Sequence, residues 1–374
     1  MTKQKKISIT IAFLGNANYD TRVTNLADSL TADGVDVKII SFDWKTPGFT
    51  SVSGNRSVFK LTKKKNPFGF YLNFIIILFK ELLKTKSSIY FAEDIQTLPI
   101  VTFIAKLRKA KVYYNSREFY AFLAGLRNKP KTQTVIRMLE KFFINKVDKV
   151  LVTGEKDAEF LTEYYGISNI VVIRNLPSLK RADAPMNFRE MLNISADKTI
   201  LLYQGVILEG RGLEPLLKAM QNVKMCELVI LGDGEFKTKY EQFAVKLKIE
   251  KRVHFLGNIE QKKLINYTAA ADIGVALIEN ISKSYYYALP NKLFEYIMAE
   301  LPVLVSNLPQ MKKITEEYQV GYVVDLEQDN LTDVLKKITE NKYNLIEYKE
   351  NCIKAKKELN WEKEYEKVKH LLIG

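Results

Sequence analysis

The sequence predicts an α/β protein built from two tandem units, each a parallel β-sheet with helices on both faces. The chain has 374 residues, more than one ordinary hydrophobic core organises. Short apolar runs alternate with helix-period segments in both halves, and this order is typical of parallel sheets. The alternation pauses once, at Asn175-Leu176-Pro177 and the polar stretch that follows to Lys198, which we interpret as a linker.

In the first half, the apolar runs predict strands and the segments between them predict helices. Strands are expected at residues 7–14, 37–41, 89–92, 111–114, 149–153 and 170–173. Helices are expected at residues 21–33, 70–85, 98–108, 132–145 and 155–165.

The second half restarts the same order after the linker. Strands are expected at residues 199–203, 227–231, 253–256, 273–277, 302–306 and 321–324. Helices are expected at residues 212–220, 236–247, 261–271, 292–299 and 311–318, and after the last strand up to the C-terminus. A ligand is expected at the carboxyl ends of the strands, where helix N-termini offer free N–H groups.

Composition indicates a globular protein without histidine or cysteine chemistry. Hydrophobic residues make up 47% of the chain and charged residues 27%, as in ordinary soluble domains. Cys226 and Cys352 form no disulfide framework, which fits a reducing compartment. His254 falls in a predicted strand and His370 in the terminal helix, so both are expected to be structural. A histidine metal site and a Ser/His/Asp hydrolase are therefore disfavoured.

The positive charge is concentrated in the first half of the chain. The formal net charge is +14, and residues 1–177 hold 28 Lys/Arg against 15 Asp/Glu, whereas residues 178–374 hold 29 against 28. The asymmetry indicates an anionic partner such as a membrane face, a phosphorylated acceptor or nucleic acid. A solubilising surface is the simpler alternative. Nucleic acid is not expected, because the aromatic residues of this half fall mostly in core periods.

The longest apolar run, from Phe68 to Phe79, is too short to span a bilayer. No secretory signal is visible, so we expect a cytoplasmic protein. The run is flanked by Lys63-Lys64-Lys65 and by Lys80, Lys84 and Lys86. Two interpretations remain open: a helix lying on the inner face of the cell membrane, or a buried helix of the sheet.

The turn after the first strand of the second half is a candidate phosphate site. Gly205 ends the strand and allows a ligand close to the backbone. Gly210 and Gly212 flank Arg211 immediately before a predicted helix. A cation and helix amides at one place suit a diphosphate.

A second candidate segment begins at Lys292. Apolar positions 293, 294, 297 and 298 form one helix face, and Lys292 and Glu295 lie on another. A basic residue in the first turn opposes the helix dipole, so Lys292 is expected to face an anion, with Glu295 available to ribose hydroxyls. The alternative is a surface salt bridge between the two.

Seven segments together resemble the retaining GT-B glycosyltransferases of family 4, over almost the whole chain. The Asn291–Tyr296 segment followed by Leu301-Pro302-Val303, and the Gly210-Arg211-Gly212 turn, carry most of this resemblance. The others are Asp20-Thr21-Arg22-Val23, Asn115-Ser116-Arg117-Glu118, Asn175-Leu176-Pro177, Leu231-Gly232-Asp233-Gly234 and Trp361-Glu362.

The resemblance implies two Rossmann-like domains facing across a cleft, with the C-terminal helix crossing back to the first. The acceptor-side domain would be residues 1–177 with helix 355–374, and the donor domain residues 178–354. The enzyme would move a sugar from a UDP- or GDP-linked donor, with retention and without a metal or other cofactor. The acceptor would be a hydroxyl of a glycan or lipid-linked saccharide in bacterial surface polysaccharide synthesis.

The resemblance also implies a role for each matched residue. Arg211, Lys292 and Glu118 would be catalytic, with Arg211 neutralising the leaving diphosphate and Glu295 holding the ribose. The donor would contact the set Gly205, Arg211, Gly232, Gly234, Asn291, Lys292, Leu293 and Glu295, with the base near residues 255–258. The acceptor side would be formed by Gly15, Asp20, Arg22, Arg117 and Glu118.

Three positions depart from the family pattern. Val206 stands where a second basic residue is frequent, a role that Lys292 would take over. Tyr287 replaces an acidic residue eight positions before Glu295 that grips the donor sugar. Arg117 replaces a histidine, and an arginine can bind a phosphate or carboxylate on the acceptor but cannot act as a base.

Other functions are compatible with the same fold. A sugar-nucleotide 2-epimerase would use the carboxylates of Glu93, Asp94 and Glu118. Inverting transfer would need a general base, for which Asp20 or Glu118 is available. The three departures from the family pattern suggest a catalytically inactive, membrane-associated partner in glycan assembly. The presence of Arg211, Lys292 and Glu295 argues against this alternative.

Overall fold

The computed structural model describes residues 7–44, 51–62 and 67–373, which form two compact units. The first comprises the chain up to Asn175 together with the residues from Glu364 onward, and the second comprises Leu176–Lys363. Residues 355–363, expected in the first unit, belong to the second. The reason is that Ala355 and Leu359 lie in its apolar core, and the N–H of Trp361 donates to the carbonyl of Pro177 at 3.0 Å.

The first unit is an eight-stranded sheet with the strand order β3-β4-β2-β1-β5-β6-β7-β8. The strands are β1 (Ser8–Phe13), β2 (Asp36–Asp43), β3 (Ser51–Ser53), β4 (Arg56–Lys60), β5 (Ile89–Ala92), β6 (Lys111–Asn115), β7 (Lys149–Val152) and β8 (Ile170–Val172). The helices between them are α1 (Thr21–Ala32), α2 (Pro67–Lys84), α3 (Leu98–Leu107), α4 (Pro130–Ile144) and α5 (Glu155–Tyr165).

The edge of this sheet differs from the sequence prediction. The expected sheet is parallel throughout, but β3 and β4 form an antiparallel hairpin, and β4 then pairs in parallel with β2. The hairpin turns at Gly54, whose φ of +58° is one that glycine adopts without strain. These strands are too short to give a clear apolar alternation, which is why the sequence did not predict them.

Helix α2 is buried against the sheet along one face and exposed along another, and its contact with a membrane stays a prediction. Phe74, Leu78 and Leu82 face inward and are at most 1% exposed, while a second face of the same helix is solvent-exposed. No described helix is long and apolar enough to cross a membrane. The Lys63-Lys64-Lys65 cluster lies outside the described residues.

The second unit is a six-stranded parallel sheet with the order β11-β10-β9-β12-β13-β14. Its strands are β9 (Thr199–Gln204), β10 (Cys226–Leu231), β11 (Val253–Gly257), β12 (Ile273–Ala276), β13 (Val303–Ser306) and β14 (Gly321–Val324). Its helices are α6 (Phe188–Met191), α7 (Leu213–Gln221), α8 (Lys237–Lys246), α9 (Gln261–Thr268), α10 (Lys283–Tyr286), α11 (Asn291–Met298), α12 (Pro309–Glu317), α13 (Leu331–Glu340) and α14 (Lys342–Ala355).

Each face of this sheet has its own apolar core. Along β9, Leu201 and Tyr203 belong to one cluster, whereas Ile200 and Leu202 belong to the other. Alternate residues of a strand point to opposite faces, so covering both faces with helices requires strands that are apolar at every position. The runs that the sequence shows are continuous for this reason.

The chain ends in α15 (Trp361–Ile373), which begins in the second unit and ends in the first. Within the first unit, the carboxylate of Glu364 accepts from the backbone N–H of Arg174 at 2.8 Å. The hydroxyl of Tyr365 donates to Asp33 at 2.8 Å. These bonds hold the last helix against the unit in which the chain starts.

Candidate functional site

The first element of the site is the turn that follows β9. Gly205 has φ +117°, a conformation that a side chain strongly disfavours. A Cβ at this position would lie 3.6 Å from Cε and 3.8 Å from Nζ of Lys292. The structure thus brings together the glycine and the lysine that the sequence assigned to the donor.

Gly232 and Gly234 have a packing role in addition to their predicted contact with the donor. A Cβ on Gly232 would lie 2.0 Å from the carbonyl oxygen of Gly205, and one on Gly234 would lie 2.2 Å from that of Ile207. The loops after β9 and β10 are also joined by a hydrogen bond from the Ile207 N–H to the Asp233 carbonyl, at 2.9 Å. These glycines are needed for the two loops to meet, whatever the loops bind.

Arg211 lies directly before α7, between two glycines that each have φ +75°. Its guanidinium carbon is 4.5 Å from the ring centroid of Tyr285, a distance at which a cation is attracted to an aromatic face. The Gly212 N–H donates to the carboxylate of Glu279 at 3.2 Å. Tyr285 and Glu279 therefore position this turn, although the sequence analysis did not select either of them.

Lys292 occupies the first turn of α11, as expected, and its Nζ lies 3.6 Å from the ring centroid of Tyr203. Burial lowers the pKa of Lys292 well below its ordinary value, and the charge of Arg211 lowers it further, against the opposing effect of Glu295. Two basic side chains are thus near enough to repel each other. An anion between them would relieve both the repulsion and the desolvation.

Glu295 is held by the end of β9 rather than by Lys292. Its Oε2 accepts from Nε2 of Gln204 at 2.5 Å, and Oε1 of Gln204 in turn accepts from the hydroxyl of Thr268 at 2.8 Å. Burial raises the pKa of Glu295, while the hydrogen bond from Gln204 opposes this. Because both side chains have other partners, the surface salt-bridge alternative does not describe this pair.

Two further residues of the predicted donor set differ in their exposure. The side chain of Leu293 is fully buried in the apolar core of the second unit, which leaves its backbone as the part available to a ligand. Asn291 is exposed at the start of α11. Among the departures from the family pattern, Val206 is 61% exposed, and the Tyr287 carbonyl accepts from Gln310 at 2.5 Å.

The first unit holds a second cluster, centred on Arg117. Its guanidinium donates to Asp20 at 2.6 Å and to Glu93 at 2.8 Å, and it lies 4.5 Å from the ring centroid of Phe13. The predicted role of Arg117 in binding an acceptor anion stays a prediction. Two carboxylates already satisfy this guanidinium, and it acts as the centre of a charged network.

Arg22 and Glu93 complete this network. Arg22 is buried and donates to Oδ1 of Asn115 at 2.5 Å, and Nδ2 of Asn115 donates to Glu93 at 2.8 Å. Burial lowers the pKa of Arg22 to about 10, with a further contribution from the charge of Arg117. Glu93 is completely buried, and its Oε1 has no hydrogen-bond partner among the described residues.

Not every acceptor-side residue belongs to the network. Glu118 is exposed, so the structure does not bring it into this buried cluster. A Cβ on Gly15 would lie 2.3 Å from the Phe13 ring, so a side chain at this position would require the ring to move. Asp94 accepts from the N–H groups of Leu14 at 2.6 Å and Thr97 at 2.7 Å, and so fixes the loop that contains Gly15.

His254 and the two cysteines have structural surroundings. His254 lies 3.0 Å from the carboxylate of Glu227 on the neighbouring strand, and both cysteines are buried free thiols. No group of three His, Cys, Asp or Glu side chains that could hold a metal ion occurs in the part of the chain that the structure describes.

Two family models match most of the chain. Residues 186–359 match the family described as "Glycosyl transferases group 1", and residues 20–179 match "Glycosyltransferase Family 4". The two matches fall on either side of the boundary between the units. They include the clusters around Arg211, Lys292 and Glu295 in the second unit and around Arg22 and Arg117 in the first.

Relatives of known sequence are distant and match in part. An uncharacterized glycosyltransferase of Methanocaldococcus jannaschii is 23% identical over 50% of this chain and 48% of its own length. The amylovoran biosynthesis glycosyltransferase AmsD of Erwinia amylovora is 23% identical over 52% of this chain and 53% of its own. The match therefore spans about half the length of these curated relatives.

Solved structures resemble the chain from end to end. Sucrose-phosphate synthase of Thermosynechococcus elongatus superposes with a TM-score of 0.79 at 18% identity, over 98% of both chains. The Anabaena protein HepE in complex with UDP and glucose superposes with a TM-score of 0.73 at 13% identity, over 98% of this chain and 99% of its own. At these identities, the likeness shows the shared fold.

Proposed function

Because the chain belongs to the group 1 glycosyltransferases of the GT-B fold, we propose that it transfers a sugar from a nucleoside diphosphate sugar to a hydroxyl group. The observation that carries this proposal is the cation pair at the carboxyl end of β9. The desolvated Lys292 lies beside Gly205 in the turn after β9, and its charge interacts with that of Arg211. Two phosphates are the ligand that such a pair suits best.

The donor is proposed to be a UDP- or GDP-linked hexose. HepE was solved with UDP and glucose, and a further structural neighbour, from E. coli, was solved with UDP-2-fluoro glucose. Glu295, with its Oε2 held by Gln204, is the proposed acceptor of ribose hydroxyl hydrogen bonds. Leu293 would contribute only its backbone.

The reaction is proposed to proceed with retention and without a metal. Arg211, Lys292 and the N-terminus of α11 supply positive charge where the diphosphate would leave, and preorganised charge of this kind stabilises a leaving group directly. The first-unit network of Asp20, Glu93 and Arg117 would form the acceptor side. In that arrangement Arg117 would hold the carboxylates of Asp20 and Glu93 in place.

The acceptor is proposed to be a glycan or lipid-linked saccharide in bacterial surface polysaccharide synthesis, handled at the cytoplasmic face of the membrane. AmsD, which serves amylovoran biosynthesis, supports the polysaccharide setting. The excess of basic residues in the first half of the chain supports an anionic partner there.

The donor site can be tested by calorimetric titration of UDP, GDP, ADP and dTDP and their common sugar conjugates, with and without EDTA. We expect one nucleotide to bind, to remain bound in EDTA and to lose affinity in Glu295→Gln. Replacing Glu227, whose carboxylate faces His254 on β11, by Gln is the matched control and should leave the affinity unchanged.

Three outcomes contradict parts of the proposal. If none of the nucleotides binds, the donor site is wrong and the inactive-partner interpretation replaces it. Binding that EDTA abolishes would contradict metal independence. Conversion of a bound sugar nucleotide into its 2-epimer would identify the epimerase.

A further inference from the structure

Helix α2 presents an apolar stripe to solvent. Six large apolar side chains on this helix are each between 37% and 45% exposed: Tyr71, Leu72, Ile75, Ile76, Phe79 and Leu83. Their spacing places them along one side of the helix. The opposite side is already buried against the sheet, so this stripe is not needed for the core of the first unit.

The stripe continues onto the two neighbouring helices. Phe103 and Leu107 of α3 are 58% and 66% exposed, and α4 exposes Val135, Met138, Leu139 and Phe142. Helix α2 packs against α3, and α3 packs against α4; the rings of Phe79 and Phe103 have centroids 6.3 Å apart. These twelve side chains on α2, α3 and α4 are called the α2–α4 surface below.

The charges around the α2–α4 surface have one predominant sign. The three helices hold six Lys/Arg and two Asp/Glu. Of the two acids, Glu140 is buried, where it accepts hydrogen bonds from two tyrosines, and Glu81 is paired with Lys84. Lys80, Lys106, Lys131 and Lys141 are exposed, and Lys106 lies 4.0 Å from Asp148. Exposed cations therefore outnumber exposed acids on these three helices, and we call these four lysines the cationic rim.

We propose that the α2–α4 surface docks the first unit on an anionic lipid bilayer. Exposed apolar patches of this extent on soluble domains mark interaction sites. Apolar side chains that enter the headgroup boundary, with lysines toward anionic lipid, are the pattern of interfacial membrane binding. A second copy of this chain is a poorer occupant, because a symmetric contact would place two cationic rims against each other.

This inference rests on the proposed function, since it places the acceptor side of the enzyme where a lipid-linked saccharide is presented. It names the partner of the first unit and leaves the nucleotide site of the second unit untouched. The two proposals can therefore fail independently.

Sedimentation with lipid vesicles tests the docking directly. The full chain should bind vesicles of phosphatidylcholine mixed with phosphatidylglycerol, bind pure phosphatidylcholine much more weakly, and be released by high salt. Phe103→Glu and Met138→Glu should each lower the partition coefficient at least about tenfold, because each removes an apolar contact and adds a repelled charge. Val245→Glu, at a 60% exposed position of the second unit, is the matched control and should bind like wild type.

Failure of the wild-type chain to bind the mixed vesicles would overturn the proposal. Equal loss of binding in Val245→Glu would overturn it too. Analytical ultracentrifugation completes the test, because a dimer that Phe103→Glu dissociates would show that a second copy covers the surface instead. Nucleotide titration of the same variants separates the two proposals. If nucleotides bind with normal affinity and vesicles do not bind, the docking proposal is wrong and the donor-site proposal is unaffected.

Discussion

The surroundings of Lys292 disfavour the charged form of its side chain when no anion is bound. Burial, with Arg211 nearby, holds its pKa well below the ordinary value, and the only aromatic contact at its Nζ in the described part of the chain is the face of Tyr203. A diphosphate would favour the protonated form, so ligand binding and proton uptake are coupled.

The affinity for the nucleoside diphosphate should therefore depend on pH through Lys292. The free protein has a depressed lysine pKa and the complex a higher one, so binding is strongest below the depressed pKa and weakens as pH rises through it. Calorimetry in buffers of different ionisation enthalpy should show proton uptake. Lys292→Met should bind more weakly and lose the lysine-linked part of the pH dependence, whereas Lys251→Met, at an exposed position, should change neither. An unaltered pH profile in Lys292→Met would show that Lys292 does not meet the phosphates.

The positions of Gly205, Arg211, Lys292 and Glu295 could be predicted from the sequence because each follows a strand end or starts a helix. Local patterns specify such places. Their partners could not be predicted in this way. Gln204 contacts Glu295 across 91 positions of the chain, and Tyr285 reaches Arg211 from another loop. Only the packing of separate elements brings these groups together.

At the scale of elements, the N-cap residue of α1 also belongs to the charged network of the first unit. Asp20 caps α1 by accepting from the N–H of Val23 at 2.9 Å, and it also pairs with Arg117. Burial alone would raise the pKa of Asp20, but the charge and hydrogen bonds of Arg117, with the Val23 bond, outweigh it and lower the pKa.

Asp20→Asn separates the two roles, since asparagine retains the cap and loses the charge. Hydrogen bonds to charged groups contribute roughly 1.5–3 kcal/mol, so the free energy of unfolding at neutral pH should fall by about 2 kcal/mol in denaturant titrations.

Because the folded pKa of Asp20 is lowered, its contribution to stability is present above the ordinary aspartate pKa and is lost as pH falls through the lowered value. The difference between variant and wild type should shrink accordingly at acidic pH. Asp36→Asn, at an exposed position, is the control, and equal stability of Asp20→Asn and wild type at neutral pH would contradict the network.

The long, apolar elements were predictable and the short ones were not. Helix α4, expected at 132–145, spans Pro130–Ile144, and the helix expected at 292–299 spans Asn291–Met298. By contrast, the β3–β4 hairpin and the four-residue helices α6 and α10 were not foreseen. A few residues give too little periodicity to distinguish a strand from a turn.

At the scale of the whole molecule, each unit has its own sheet and its own apolar core. The charge is divided in the same way, with the excess of Lys/Arg in residues 1–177. The C-terminal segment from Glu364 belongs to the first unit by contact, and only its core contacts could show that residues 355–363 belong to the second. The sequence predicted the division near residue 177 because proline and polar residues interrupt the alternation there.

The two units, each with its own sheet, should unfold as two calorimetric transitions when the full chain is heated. A nucleoside diphosphate at a hundredfold excess over its Kd stabilises the state that binds it by about 2.7 kcal/mol. It should therefore raise the Tm of the transition that belongs to the second unit. Hydrogen exchange on the same sample assigns each transition to a unit. The amides of β1 report on the first unit and those of β9 on the second. A nucleotide effect confined to the first unit would refute the assignment of the donor site.

The measurement that tests the central claim most directly is the release of nucleoside diphosphate from the sugar nucleotide that binds, with water or a glycan as acceptor. The wild-type chain should turn over, and Arg211→Ala should be slower by about 2–4 kcal/mol in activation free energy, roughly 30- to 1,000-fold. Lys251→Ala should keep the wild-type rate. A near-normal rate in Arg211→Ala would contradict the role of this residue, and donor binding without turnover in the wild-type chain would contradict catalysis itself.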